Sequence, residues 1–193
     1  MKQLGIGLLA GVAMLCATAG HARDAALLQA ATAEQPAVVK TLERLVNIET
    51  GTGNAEGLAA MADLLEAELK GLGAVVTRHA AAAPAIGDNL VARLQGKGQR
   101  KLMLMAHVDT VYVKGTLARA PFRIDGARAF GPGIADAKGG VAVILHTLQL
   151  LKARGFDDFG TITVLFNTDE ERGSIGSREL IRTLARGQDA VLS

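Results

Sequence analysis

Five acidic or imidazole side chains stand just past apolar runs of this chain. His107 and Asp109 close KLMLMAHVD, Asp136 lies in the glycine-rich GPGIADAKGG, and Glu170 and Glu171 close TITVLFNTDEE. One imidazole with several carboxylates is a donor set for a hard or borderline divalent ion such as zinc. Such an ion turns water into a nucleophile at neutral pH, so the pattern points to hydrolysis. Each apolar run reads as a buried strand, and open α/β sheets collect their chemistry at the carboxyl ends of strands.

Each motif alone has a plainer reading. His107-x-Asp109 puts both side chains on one side of an extended backbone, because the strand period is two. A ligating imidazole needs its second nitrogen held, often by a carboxylate, and Asp109 could do that or support the site nearby. The plainer reading is a strand-end histidine with a local hydrogen bond. Asp136 could bridge two cations, or cap the helix that follows. Asp169-Glu170-Glu171 could supply a ligand and a general base, or be a solvated helix start whose acids complement the dipole. Other chemistries find less support. No GxSxG elbow surrounds Ser174 or Ser177, which disfavours a serine hydrolase. The glycines match neither GxxxxGK[ST] nor GxGxxG, which leaves a phosphate cradle weak. His79 and His146 carry no motif.

The elements that must place these residues follow from hydrophobic periodicity. Gln35 to Ile48 reads as a helix, with Thr32 and Gln35 as a capping box and Pro36 in the first turn. Asn54 caps a second helix carrying Leu58, Met61, Leu65, Leu69 and Leu72, ended by Gly71 and Gly73. Strands are expected over 74–77, 89–94, 102–106 and 161–166, with a hairpin over 122–130 about Asp125-Gly126. Val141 to Leu151 marks a third helix and Ser177 to Ala185 a fourth. Ala190 to Leu192 begins another strand. Strands alternating with helices argue an α/β fold, a three-layer sandwich around a mixed, largely parallel sheet.

Bulk properties bound the rest. The 193 residues allow one domain with a real core, and 49% are hydrophobic with only 3% aromatic. A net charge of +2 with acidic and basic residues interspersed gives no footprint for nucleic acid or a membrane surface. Lys2, the uncharged run from Leu4 to Ala19 and Gly20-His21-Ala22 read as a cleavable signal peptide over 1–22. An uncleaved anchor is the alternative. Cleavage removes Cys16, the single cysteine. The mature chain then has no thiolate, needs no disulfide, and is expected in the periplasm or outside the cell, free of the membrane.

Taken in order, HVDTV, GPGIADAKGG and NTDEERGSIGS resemble the di-zinc metallopeptidases of the aminoacylase and carboxypeptidase family. ATAEQPAVVKTLERLVNIETGTGNAEG and APFRIDGARAFGPGIADAKGG narrow the likeness to its bacterial glutamate carboxypeptidases. The resemblance implies that His107 binds one zinc, Asp136 bridges both, Glu171 binds the second, Glu170 is the general base and Asp109 supports His107. Cobalt or manganese would also suit these ligands. It implies release of C-terminal glutamate from folate-type or N-acyl glutamate substrates, and a homodimer for the full-length form. Ala137 stands where those enzymes often carry a second aspartate. The resemblance further implies a chain of roughly twice this length, with two more ligands and a lid domain beyond Ser193. Residues 23–193 are thus expected to be the N-terminal part of the catalytic domain. Alone they are expected to hold metal weakly and to expose a sheet edge. An aminoacylase or dipeptidase of the same family, or a non-catalytic remnant of the fold, are the other readings.

Overall fold

The computed structural model describes residues 24–193. The expected signal peptide and Cys16 lie outside the described residues. Two helices open the chain, α1 (Ala25–Val46) and α2 (Ala55–Gly71). Strands β1 (Val75–Ala80), β2 (Asp88–Gln95) and β3 (Lys101–His107) follow, then the hairpin β4 (Arg123–Asp125) and β5 (Arg128–Phe130). Helix α3 (Gly139–Ala153), strand β6 (Thr161–Asn167), helix α4 (Arg178–Ala185) and strand β7 (Ala190–Leu192) complete it.

The main sheet has strand order β1-β2-β6-β3-β7. It is mixed: β1, β2 and β6 pair antiparallel, whereas β6, β3 and β7 pair parallel. The period-two alternation divides its side chains between two layers. Leu90 and Ala92 of β2 and Ile162, Val164 and Phe166 of β6 join Leu45, Leu58, Leu65 and Leu145 from the first three helices. The alternate residues Val91, Met103 and Leu165 pack with Leu184 of α4 on the other face. The result is the expected three-layer α/β sandwich around a mixed sheet, though its pairings divide evenly between parallel and antiparallel instead of being largely parallel.

In one place the sequence misleads. Helix α1 starts ten residues before the expected Gln35, because Asp24 caps it by accepting from the Leu27 amide at 2.9 Å. The alanine-rich turn that follows is strongly helix-forming. Thr32 is therefore not a cap: its hydroxyl donates back to the Leu28 carbonyl at 2.8 Å. Pro36 lies inside the helix rather than in its first turn.

The parallel register does most to build the site. His107 pairs opposite Asn167, so β3 and β6 end side by side at the same edge. The residues that follow each strand, Val108 to Thr110 and Thr168 to Glu171, emerge together. A bond from the Val108 amide to the Asn167 carbonyl at 2.9 Å holds the two exits. The 49–54 loop closes over the first exit through Thr110 N to Thr50 O at 2.9 Å and Thr52 N to Thr110 O at 3.0 Å.

Candidate metal centre

Asp109 is the hub of this edge. It is fully buried, and every partner it has is a donor. Its Oδ2 accepts from the Thr52 hydroxyl at 2.7 Å and the Glu171 amide at 3.3 Å, and its Oδ1 from the Glu170 amide at 3.0 Å. The His107 ring lies 3.4 Å from Oδ1 through Nδ1, which also meets the Asp109 carbonyl at 3.0 Å. Both Nδ1 neighbours are acceptors, so that nitrogen carries the proton and Nε2 faces outward. One carboxylate thus orients the imidazole and fixes the backbone under both glutamates. Burial alone would raise the Asp109 pKa, but the His107 ring, Thr52 and the Glu170 amide outweigh it and hold it low.

Asp136 reaches the site by an irregular turn. Gly133 takes a left-handed conformation at φ 72°, and a Cβ there would stand 2.5 Å from Thr110 Cγ2. Both the turn and the close approach require glycine. The Lys138 amide closes the turn on the Gly133 carbonyl at 3.0 Å, while Asp136 itself keeps an extended φ of -136° and is 72% exposed at its side chain. Asp136 is therefore no helix cap. Lys138, buried at 2% exposure, anchors the turn by donating from Nζ to the Ile48 carbonyl at 2.7 Å. Burial lowers its pKa to about 8 against the opposing pull of Glu49.

The acidic triplet divides its labour. Asp169 is buried, and its carboxylate accepts from the Ser177 hydroxyl at 2.6 Å and the Gly176 amide at 2.5 Å. It clasps the loop ahead of α4 and is spent there. Glu170 and Glu171 begin a short 3-10 turn, and their carboxylates accept no hydrogen bond among the described residues. Glu170 Oε2 lies 3.8 Å from His107 Nε2.

His107, Asp136 and Glu171 each offer one ligand atom, and these atoms all lie within 4.8 Å of one another. Nε2 of His107 meets Asp136 Oδ1 at 2.8 Å. Burial opposes a charge on His107, but Asp109 and Asp136 outweigh it and raise its pKa to about 9. Burial and then the Asp136 charge raise the Glu171 pKa. Crowded carboxylates beside one imidazole carry unneutralised negative charge, which a divalent cation relieves. The donor set fits zinc, and an imidazole held at Nδ1 with Nε2 outward is the usual arrangement of a histidine ligand.

Sequence reasoning missed Thr52 and Lys138. Thr52 is 57 residues from Asp109, and no local spacing announces that bond. A lysine beside two glycines reads as solvent-exposed. The metal-binding group does not include His79 or His146. His79 contacts Thr77 at 3.2 Å, and His146 ties α3 to α1 through Glu34 at 2.8 Å and Thr41 at 2.9 Å.

Known proteins resemble this chain in sequence and in fold. Residues 103–193, which include all five site residues, match the model of Peptidase family M20/M25/M40. Over its whole length the chain is 61% identical to Carboxypeptidase G2 of Pseudomonas sp. (strain RS-16) and spans 47% of that protein. Among solved structures, human carnosine dipeptidase 1 superposes with a TM-score of 0.72 at 20% identity, over 86% of this chain and 39% of that one, which speaks to the fold alone. A tripeptidase from Staphylococcus aureus superposes with a TM-score of 0.67 at 27% identity, over 81% of this chain and 42% of that one. The chain spans less than half the length of these relatives. In sequence the chain resembles the N-terminal part of Carboxypeptidase G2, and its residues 103–193 match the peptidase family M20/M25/M40.

Proposed function

We propose that this chain carries metal-binding and proton-transfer groups of a zinc-dependent carboxypeptidase, which hydrolyses the amide bond to a C-terminal glutamate in N-acyl or folate-type substrates. The observation that carries the reading is the convergence of one imidazole and two carboxylates, with a further carboxylate, Glu170, left free beside them. His107 would hold one ion, Glu171 a second, and Asp136 would be shared between them. When bound, the metal supplies Lewis acidity toward the scissile carbonyl and lowers the pKa of water. Glu170 takes a proton from the attacking water and delivers it to the nitrogen of the leaving amine. The C–N bond breaks as the new C–O bond completes the carboxylate product. Asp109 keeps His107 in one tautomer and supports the backbone of Glu170. The glutamate preference is the finer part of the proposal and draws on the likeness to Carboxypeptidase G2. The apolar run from Leu4 to Ala19 supports export to the periplasm.

The test compares N-(4-aminobenzoyl)glutamate with N-acetyl amino acids and free dipeptides, using a zinc-loaded full-length form that contains this segment. The glutamate substrate is expected to lead by kcat/KM. Glu170→Gln should abolish turnover and leave zinc binding intact. Retained turnover removes Glu170 from the base role, and a preference for N-acetyl amino acids or dipeptides replaces the substrate class.

A further inference from the structure

Helix α4 is shorter than the sheet face on which it lies. Its eight residues make about 12 Å of helix, against strands of seven or eight residues that run about 23–27 Å. It packs through Leu180, Ile181, Leu184 and Ala185 on Val91, Met103, Met105 and Leu165. Past its end, the bare part of that face forms the floor of a groove of about 570 Å³.

The register sets the groove's residues in rows. Arg93 of β2 stands opposite Thr163 of the central strand β6, and Lys101 of β3 stands opposite Thr161. Directly opposed residues have Cβ atoms about 5 Å apart, so the two cations flank the β6 threonines from either side. Arg186 joins them from the turn after α4. The plainer reading is a sheet face left to water. Two observations point to a ligand instead. First, the lining holds three cations and no acid, and none of the three side chains has an ion pair or hydrogen bond among the described residues. Second, Thr163 is 2% exposed, yet its hydroxyl, on the groove floor, has no hydrogen-bond partner among the described residues.

The remaining polar groups are engaged. Gln95 donates to the Gly160 carbonyl at 2.6 Å, and Thr77 to the Val91 carbonyl at 3.4 Å. The carbonyls that end α4 would repel an anion, but they are occupied. Leu184 O accepts from the Gln188 side chain at 2.8 Å, Ala185 O from the Gln188 amide at 3.3 Å and Arg182 O from the Arg186 amide at 3.3 Å. Asp189, next in the chain, accepts from the Lys101 amide at 2.7 Å and lies outside the lining. Two planar guanidinium forks, an ammonium and a hydroxyl suit a doubly charged tetrahedral oxyanion, whereas one carboxylate leaves most of the cationic charge unbalanced.

We propose that this groove binds a phosphoryl group, free or carried by a small organic molecule, on Arg93, Lys101, Arg186 and the Thr163 hydroxyl. Lys101 opens β3 and His107 closes it, so the groove lies about 20 Å from the metal ligands at a rise of about 3.3 Å per residue. The site is therefore separate from the metal centre and stands independently of the hydrolysis proposed above.

The test is a calorimetric titration of a full-length form with inorganic phosphate and with ribose 5-phosphate, at about 0.15 M salt to screen long-range attraction. Ribose and acetate are the controls. Both phosphates are expected to bind, and both controls to bind far more weakly. Tighter binding of ribose 5-phosphate assigns the groove to an organic phosphate, and equal binding assigns it to the free ion. Arg93→Gln and Lys101→Gln should each weaken binding about tenfold or more, the order of one charge-assisted contact. Arg93→Lys should fall between, keeping the charge without the fork. Both positions are exposed, and unchanged zinc binding reports that each variant is folded. Phosphate also coordinates zinc, so His107→Ala is included and should leave phosphate affinity unchanged. Failure of both phosphates to bind, or acetate binding as well as they do, would overturn the proposal. So would binding that ignores Arg93→Gln and Lys101→Gln, or that His107→Ala removes.

Discussion

Replacing Asp109 with asparagine changes one oxygen to an amide and removes one charge, at a position with no solvent access. Its surroundings are all donors: the Thr52 hydroxyl, the Glu170 and Glu171 amides and the His107 ring. An asparagine must turn its NH2 toward some of them. Turned to the Oδ1 side, it meets the Glu170 amide and the ring. Turned to the Oδ2 side, it meets the Glu171 amide, while the Thr52 hydroxyl can rotate to accept. The second choice is better, and it still forfeits one backbone bond and weakens the others. A hydrogen bond to a charged group contributes about 1.5–3 kcal/mol, and removing one partner of a buried charged pair costs about 3–5 kcal/mol. The expected loss is therefore about 3 kcal/mol, measured by urea unfolding of the metal-free protein at pH 7. Zinc affinity should fall roughly 10–100-fold, as for loss of a group that orients a ligand. The His107 pKa should fall from about 9, seen by NMR of the imidazole. Asparagine matching wild type to within about 1 kcal/mol, with unchanged zinc affinity, would refute the hub role of Asp109.

The metal-free protein should have a stability–pH curve shaped by two opposed groups. His107 is raised from 6.5 to about 9, so its contribution is whole below 6.5 and is lost as pH rises through 9, an effect of about 3 kcal/mol. Lys138 is lowered from 10.5 to about 8, so stability is recovered as pH rises from 8 toward 10.5. Unfolding free energy should fall from 6.5 to 8, level off, then climb, and Lys138→Met should remove the climb. Gly133→Ala places a side chain at φ 72° and 2.5 Å from Thr110 Cγ2. It should cost at least about 2 kcal/mol in urea unfolding, from the left-handed backbone and the contact together.

The legible parts of this molecule are those in which a local pattern and a tertiary role coincide. Asn54 caps α2 as its sequence suggests, and the alternating residues of β2, β3 and β6 divide between two cores as their period demands. The strand-end positions of His107, Glu170 and Glu171 were readable because the apolar runs before them must be buried. The start of α1 was not, because Thr32-x-x-Gln35 mimics a capping box while the operative cap, Asp24, lies at the foot of the N-terminal apolar segment. Spacing alone does not tell the three acids apart, although the family resemblance assigns roles to Glu170 and Glu171. The three-dimensional meeting with Ser177 and Gly176 shows that Asp169 is occupied. Thr52 and Lys138 act across long chain separations, through one hydroxyl and one ammonium that no periodicity marks.

The most direct test of the account is a calorimetric zinc titration of the metal-free protein near pH 7.5, in two buffers of different ionisation enthalpy. Zinc is expected to bind with release of a proton, since His107, with a pKa of about 9, must lose its charge to ligate. His107→Ala, Asp136→Asn and Glu171→Gln should each weaken binding markedly. Binding at wild-type strength in all three variants, or without buffer-dependent heat, would contradict the claim that these side chains form the metal centre.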